Sequence, residues 1–452
     1  MKNLIKNTKQ FGSYKWLILA SLSILLTLGV VSCDSIVDVT DPDIVTPESL
    51  NSEAGIQTLK AGSLGDLSVA LSGSGAGHGG TVGLTVMSGL MSDEYIYSGT
   101  FPTRREADTR NLLNTNGTMD VIYSNIHRAR AGAEATIDLA QGFGGVPEVE
   151  SEMQSIVGYV YVIFAETFCG AVPFSKVPAG GGDIIYGEPL TQTQMFNAAI
   201  NWFEQAASSS SGNSDLANLA RVGKARALLG LGQIADAANE VASVPTDFVY
   251  NIEHSDNSTR QENGIYIMTT LRRQFSIANK KGGNKVGVPY REFGDAGDPR
   301  VPYDGGTANG QDGITLYYNQ LKFTDENASV ALASGIEARL IQAEAEADSG
   351  SGIGTHTILN ELRDTIGLPT DLDFSALSGD ALMLAHMEER ALWLYSTGKR
   401  HGDLRRLVDV YGMQASDVFP WGDYFKGGSY DSNLTFPIPQ SEANNPNYVE
   451  CL

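Results

Sequence analysis

The order of apolar and polar positions along the chain is mostly helical. Glu152–Cys169, EMQSIVGYVYVIFAETFC, is apolar almost all round, the pattern of a helix buried on every side. After a loop of glycine and proline, Thr191–Ser210 sets Met195, Ala198, Ala199, Trp202 and Ala206 at spacings of three and four, one face of an amphipathic helix. Asp215–Gly230 and Gln233–Val244 follow as a tight pair, with alanines where two helices can cross closely and Pro245 to stop the second. Val330–Asp348 with His356–Ile366, and Asp380–Ser396 with Asp403–Tyr411, repeat the arrangement across the short turns Ser349–Gly354 and Thr397–Lys399. Ser155–Phe168 with Met195–Ala207 makes a further pair across a longer connector. Such units resemble the tetratricopeptide repeat, ~34 residues of helix–turn–helix. One pair cannot cover its own apolar face; stacked neighbours can. The pattern therefore predicts a mostly α fold, with four tetratricopeptide-like helix pairs forming a scaffold over 118–245 and 328–412.

Three stretches break the helical rhythm: 72–105, 246–327 and 412–435. There, clusters of Gly, Asn, Asp and Pro alternate with short pieces such as Gly264–Thr270 and Ile314–Phe323. Loops of this length inside a compact domain are uncommon and usually functional, so these segments, with a few short strands, are expected to be functional elaborations of the scaffold.

The N-terminus follows other rules. Lys2, Lys6, Lys9 and Lys15, with no acid among them, precede the sixteen uncharged residues Trp16–Val31. A cationic head and a short apolar core make a secretory signal, and the core is short for a membrane span. It ends in Val30-Val31-Ser32-Cys33, which resembles a bacterial lipobox, where the signal is cut before a cysteine that is then acylated. Residues 1–32 are read as the signal and Cys33 as the lipid anchor holding the protein to a membrane. Residues 33–50, with Asp34, Asp38, Asp41, Asp43 and two prolines, are read as an acidic tether, and 51–452 as a single domain.

Charge sharpens this reading. The chain has 31 bases and 53 acids; without the signal it has 27 against 53, a net charge of −26. So acidic a surface is a poor match for a phosphate backbone, and no nucleic-acid partner is expected. Glycine, 50 of 452 residues, is well above the usual ~7% and belongs to the loops. The densest mixed charge, Arg339–Glu346 and Glu388–Arg406, lies on the helical scaffold. Arg390, Arg400 and Arg405 are expected to pair with Glu344, Glu388 and Asp403 across helix ends, as structure and not catalysis.

Gly75–Gly80 matches GxGxxG, but a dinucleotide site needs a strand before it, and Gly55–Ser72 looks helical. Six histidines occur without HExxH, and neither GxSxG, a phosphate-binding loop nor a calcium loop is present, so no cofactor, metal or catalytic residue is expected.

Several segments together resemble the SusD/RagB family of outer-membrane nutrient-binding lipoproteins. They are the lipobox, the helix Glu152–Phe168 leading into Gly170–Phe174, Arg339–Ala345, Leu359–Arg363 through Gly367–Pro369, Glu388–Arg390, Gly398–Arg406, and Pro437–Glu442 closing on Asn445–Asn447. Their order and spacing cover nearly the whole chain after the signal. Cys169-Gly170-Ala171 departs from the family's usual aromatic, Gly, Asp, as does the terminal Tyr448–Leu452. The resemblance implies helix pairs under a loop-built binding face and an outer-membrane, surface-facing location. It also implies a SusC-like TonB-dependent transporter on which the protein sits as a lid, and an oligosaccharide or other nutrient as cargo.

Sugars need flat aromatic faces and planar polar groups, and the loops contain both. Tyr95, Tyr97 and Phe101 in the first loop and Tyr290, Arg291, Tyr303 and Tyr317 in the second are the candidate ligand residues; Phe419–Tyr430 adds Trp421, Tyr424 and Tyr430. Tyr95 and Tyr97 occupy the loop that contributes to the site in carbohydrate-binding members. With Cys33 committed to lipid, Cys169 and Cys451 remain, either bonded to each other or as two separate buried thiols. Two rival functions stay open. One is a surface glycan-degrading enzyme, for which Asp93/Glu94 or Asp295/Asp298 would be the carboxylate pair. The other is a scaffold that docks only proteins.

Overall fold

The computed structural model describes residues 52–75, 80–177 and 182–451; the signal, Cys33, the tether and residues 76–79 of the glycine motif lie outside them. Residues 51–452 form one compact unit. Of the helices, α1 (Glu53–Ser72), α2 (Leu84–Met91), α3 (Pro102–Asp108), α4 (Gly117–Gly142), α5 (Pro147–Thr167) and α6 (Gln192–Ser209) come first. They are followed by α7 (Ser214–Gly230), α8 (Ile234–Glu240), α9 (Gly335–Asp348), α10 (Gly352–Asp364), α11 (Gly379–Trp393) and α12 (Arg400–Asp409). From α4 to α10 each helix packs on its neighbour in sequence, α1 lies on α4, and α11 on α9. The fold is mostly helical and tetratricopeptide-like, as the periodicity predicts.

Helix α5 is the spine. Pro147 starts it, Glu148 and Glu150 in the first turn suit the helix dipole, and every residue from Ser151 to Ala165 is buried. Small residues set close crossings, with Ala225, Ala227 and Ala237 fully buried on α7 and α8. Phe203 of α6 fits between Gly158 of α5 and Gly223 of α7, where an added Cβ would come within 2.8 and 2.3 Å of the ring. Helix α6 opens on a capping box, Thr191 and Gln194 exchanging side-chain and backbone hydrogen bonds.

Helix ends shift by a few residues from the sequence reading, α5 starting at Pro147, α8 ending at Glu240, α10 starting at Gly352 and α12 at Arg400, and one predicted helical segment changes type. Val330–Ser334 is not helical; it pairs antiparallel with Val249–Ile252. The helix begins at Gly335, after the Ser334 hydroxyl accepts the Glu337 amide at 3.1 Å. The alternation in VALAS fits a half-buried strand as well as a helix turn, and the N-cap serine breaks the tie. All five small sheets of the described residues are two-stranded, among them Tyr95–Tyr97 with Phe275–Ile277 and Tyr303–Asn309 with Leu316–Gln320.

Buried ions join the scaffold. Arg406 of α12 binds Glu344 of α9 at 2.7 Å and Asp403 at 2.9 Å, and Arg390 of α11 binds Asp403 at 3.0 Å. Of the predicted pairs, Arg390–Asp403 forms. Arg400 instead reaches Asp93 at 2.7 Å, and Arg405 donates to the Ala165 carbonyl at 2.9 Å at the end of α5. Glu388 is exposed, and its buried neighbour Glu389 receives Arg300 and Arg363. A disulfide joins Cys169, just after α5, to Cys451 at the end of the tail, with Cα atoms 5.3 Å apart. Among the described residues no helix is long and apolar enough to cross a membrane.

Candidate functional site

The aromatic residues singled out by sequence divide by depth. Tyr95, Tyr97 and Tyr290 are 0–1% exposed and Tyr317 is 5% exposed, so their faces are taken by packing. Tyr95 and Tyr97 meet Phe275 edge-on, and Tyr290 lies 4.9 Å from Tyr395, centroid to centroid. Their hydroxyls serve the frame: Tyr95 bonds Ser396 at 2.6 Å, Tyr97 accepts the Phe101 amide at 2.9 Å, and Tyr317 donates to the Thr269 carbonyl. The reason is the strand Tyr95–Tyr97. Pairing it with Phe275–Ile277 turns both tyrosines inward, since alternate residues share a face. These four rings are packed into the frame beneath the loops. Tyr303 is half-buried, its hydroxyl bonded to Asp295. Phe101 stays exposed at the start of α3, with the Arg104 guanidinium 4.4 Å above its ring. Arg291 lies 3.9 Å from the Tyr318 ring and lines a groove.

The third loop builds the face that is open. On one side of Tyr424 and Tyr430 a groove of about 680 Å³ is lined by Arg105, Thr109, Asn111, Trp421, Lys426 and Asp431. On the other side a groove of about 470 Å³ is lined by Asn279, Lys280, Lys285, Arg291, Asp423 and Phe425. Trp421 is half-buried and Phe425 is half-exposed. Both grooves thus combine an accessible aromatic face with polar side chains that can fork onto hydroxyls, which is what a flat, neutral polyol requires.

Four anchors make the loop rigid. Asp108 is the hub: its Oδ2 accepts the Tyr424 hydroxyl at 2.7 Å and the Tyr97 amide at 2.8 Å, and its Oδ1 pairs with buried Lys281 at 2.7 Å. Asn284 holds both ends of a turn, accepting the Trp421 amide at 3.0 Å and donating to the Phe419 carbonyl at 3.0 Å. Lys426 binds Asp312 at 2.6 Å; burial alone would raise that carboxyl, but Lys426 and Thr315 bring it down to about 2. Arg110, fully buried, donates to the Pro420 carbonyl at 2.6 Å and lies 5.1 Å from the Trp421 ring. Burial pushes this guanidinium down to about 10, yet it remains a cation at neutral pH and holds the indole from behind.

Neither carboxylate pair nominated for hydrolysis is free. Asp93 is enclosed by Arg400, and Glu94, 1% exposed, accepts the Ser396 amide at 2.7 Å. Burial pushes the Glu94 carboxyl up to about 8. Asp298 is held by Arg300, and Asp295, at the surface, accepts the Tyr303 hydroxyl. Among the described residues no group of His, Cys, Asp and Glu is placed to hold a metal. Sequence reasoning named Trp421 within its loop without choosing it, and missed Arg105, Asn111, Lys426 and Asp431. The signal for Lys426 and Asp431 was the glycine-spaced run WGDYFKGGSYDS, which has no apolar period; Arg105 and Asn111 lie outside it and had no local signal.

No protein-family model and no curated protein matches the chain. Solved structures do. A SusD superfamily protein from Parabacteroides distasonis is 13% identical, with 90% of this chain and 99% of that one covered and a TM-score of 0.66. Surface glycan-binding protein A from Bacteroides uniformis is 14% identical, covering 88% and 99%, with a TM-score of 0.65. A laminarin-binding SusD-like protein is also 14% identical, covering 88% and 99%, with a TM-score of 0.63. Agreement over 88–90% of this chain at such low identity is agreement of backbone architecture. The chain has the SusD fold.

Proposed function

We propose that this protein belongs to the SusD/RagB family and is a glycan-binding lipoprotein. In this reading Cys33 anchors it to the outer membrane facing the cell surface, and it delivers cargo as the lid of a TonB-dependent transporter. The mechanism is binding and release, without covalent chemistry. The observation that carries the reading is the pair of grooves on either side of Tyr424 and Tyr430, one of them faced by Trp421, on a fold shared with proteins described as binding laminarin and surface glycans. Calorimetric titration of the chain from residue 34 against a panel of neutral oligosaccharides tests it. Trp421→Ala is expected to weaken the best ligand ~10-fold, since an aromatic face in a groove contributes on the order of 1 kcal/mol beyond its area. Turnover of the oligosaccharide, or unchanged affinity in the variant, would overturn the assignment of this groove.

The anchor has its own test. Cys33→Ala should move the protein from the membrane fraction to the soluble one; retention at the membrane would count against lipidation. Copurification with a barrel transporter but with no small cargo would favour the docking scaffold.

A further inference from the structure

The two grooves beside Tyr424 and Tyr430 differ in charge. In the larger, the bases Arg105 and Lys426 stand with the acid Asp431 and with Asp312, the partner of Lys426, so neither sign prevails. The smaller is basic. Among the described residues that line it, Lys280, Lys281, Lys285 and Arg291 are bases and Asp423 alone is an acid. In the whole chain the balance is the reverse, 31 bases against 53 acids.

Much of this charge is open to a ligand. Lys281 is not, being buried and held by Asp108 at 2.7 Å and the Ser92 carbonyl at 3.1 Å. Lys280 meets Glu292 at 3.5 Å, but both side chains are about half exposed, where such a pair contributes little. Lys285 is exposed and Arg291 lies over the Tyr318 ring, and neither forms an ion pair among the described residues. The backbone beneath these cations is fixed. Lys280 and Lys285 stand on either side of residues 281–284 with φ of +51° and +57°, a conformation that residues other than Gly, Asn and Asp seldom adopt. The turn between them lies against the aromatic loop: a Cβ at Gly282 would be 2.9 Å from the Trp421 amide nitrogen, and one at Gly283 would be 2.6 Å from that of Asp423. The Arg291 amide is tied back to the Asn279 side chain at 3.2 Å. A groove built this way has no loop to order when a ligand arrives.

We infer that the smaller groove is the subsite for an anionic sugar unit, bearing a carboxylate or a sulfate, which Lys285 and Arg291 bind while the half-exposed Phe425 ring supports the sugar face. This rests on the glycan reading and narrows it: the larger groove takes neutral units and the smaller one the charged unit. The acidic surface does not forbid it. Exposed charges farther away than the Debye length, ~10 Å at 0.1 M salt, are largely screened, and the cations of the groove are nearest to the ligand.

Calorimetric titration of the chain from residue 34 tests it with matched tetrasaccharides: tetragalacturonate and tetramannuronate, each beside its methyl ester, and a sulfated galactan beside its desulfated form. At low salt at least one charged sugar should bind ~10-fold tighter than its neutral partner, the combined effect of two partly exposed ionic contacts. The arm that shows the preference tells carboxylate from sulfate. In 1 M salt, where the Debye length is ~3 Å, the preference should shrink below ~3-fold. Lys285→Gln with Arg291→Gln should bring the charged-to-neutral ratio to about one, and Lys285→Glu should lower it if the double variant misfolds. No preference in any pair, a preference that survives these substitutions, or one indifferent to salt would overturn the subsite. If neutral sugars still bind through Trp421, the glycan reading stands without it; if neither charged nor neutral sugars bind, both fall.

Discussion

Asp93→Ala is expected to destabilise the protein by ~3–5 kcal/mol, the usual consequence of leaving one member of a buried ion pair alone. Asp93 is fully buried between α2 and the loops, and grips the guanidinium of Arg400 through both oxygens, at 2.7 and 2.8 Å. Its Oδ2 also accepts the Val288 amide at 2.8 Å. That bond requires Gly287, at φ +94°, whose missing Cβ would lie 2.6 Å from the carboxylate. Removing the carboxylate strands the Arg400 charge, which is 6% exposed, beside a vacated cavity. Urea denaturation checks the effect, and the double variant Asp93→Leu with Arg400→Met should recover much of the loss, because no charge is then left unpaired. A midpoint shift equivalent to less than ~1 kcal/mol in Asp93→Ala would refute the pair's role.

The same pair predicts an acid limb. Burial raises the Asp93 carboxyl, but the Arg400 charge and its hydrogen bonds outweigh burial and leave the pKa below the ordinary 3.8. A group depressed in this way stabilises the fold above its unfolded pKa, about 4, and loses that contribution as pH falls through the folded value. Stability of the wild type should therefore fall more steeply below about pH 4 than that of Asp93→Ala.

This pairing also shows where sequence reasoning stops. Helices were legible because their signal is local: the all-round apolar run of α5 and the three-four spacing of α6 fix burial within one element. That Arg400 belongs to structure and not to chemistry was legible too, from its place beside a helix start. Its partner was not, because Asp93 is 307 residues away and nothing local distinguishes it from Glu94. The depth of the candidate tyrosines was hidden for a related reason. Tyr95 and Tyr97 sit in a loop by composition, but a three-residue strand pairing with Phe275–Ile277 rotates both rings inward. Strand pairing at a distance decides the face, and a single sequence does not contain it. Trp421 stays accessible because its loop has no long-range strand partner and is fixed by Asp108, Asn284 and Arg110 instead.

Replacing Cys169 and Cys451 together by alanine is expected to destabilise the protein by ~2–5 kcal/mol, with reductant shifting the wild type by a similar amount. The bond closes a loop 282 residues apart in sequence, so the entropy it removes from the unfolded chain lies at the upper end of that range. The native tail sets the lower end, because it has other anchors. Phe436 donates to the Thr167 carbonyl and accepts the Cys169 amide, both at 2.9 Å, and the Gln440 amide reaches the Asn114 carbonyl at 2.8 Å. Without the disulfide the tail can fray from its end back to these bonds while the helical scaffold stays folded. Hydrogen exchange should then rise over residues 445–451 and stay slow at Phe436, and the measured loss should fall short of the full loop entropy. An unchanged denaturation midpoint in both the reduced wild type and the double variant would show that the tail's own bonds carry the closure, because only the covalent link acts on the unfolded chain.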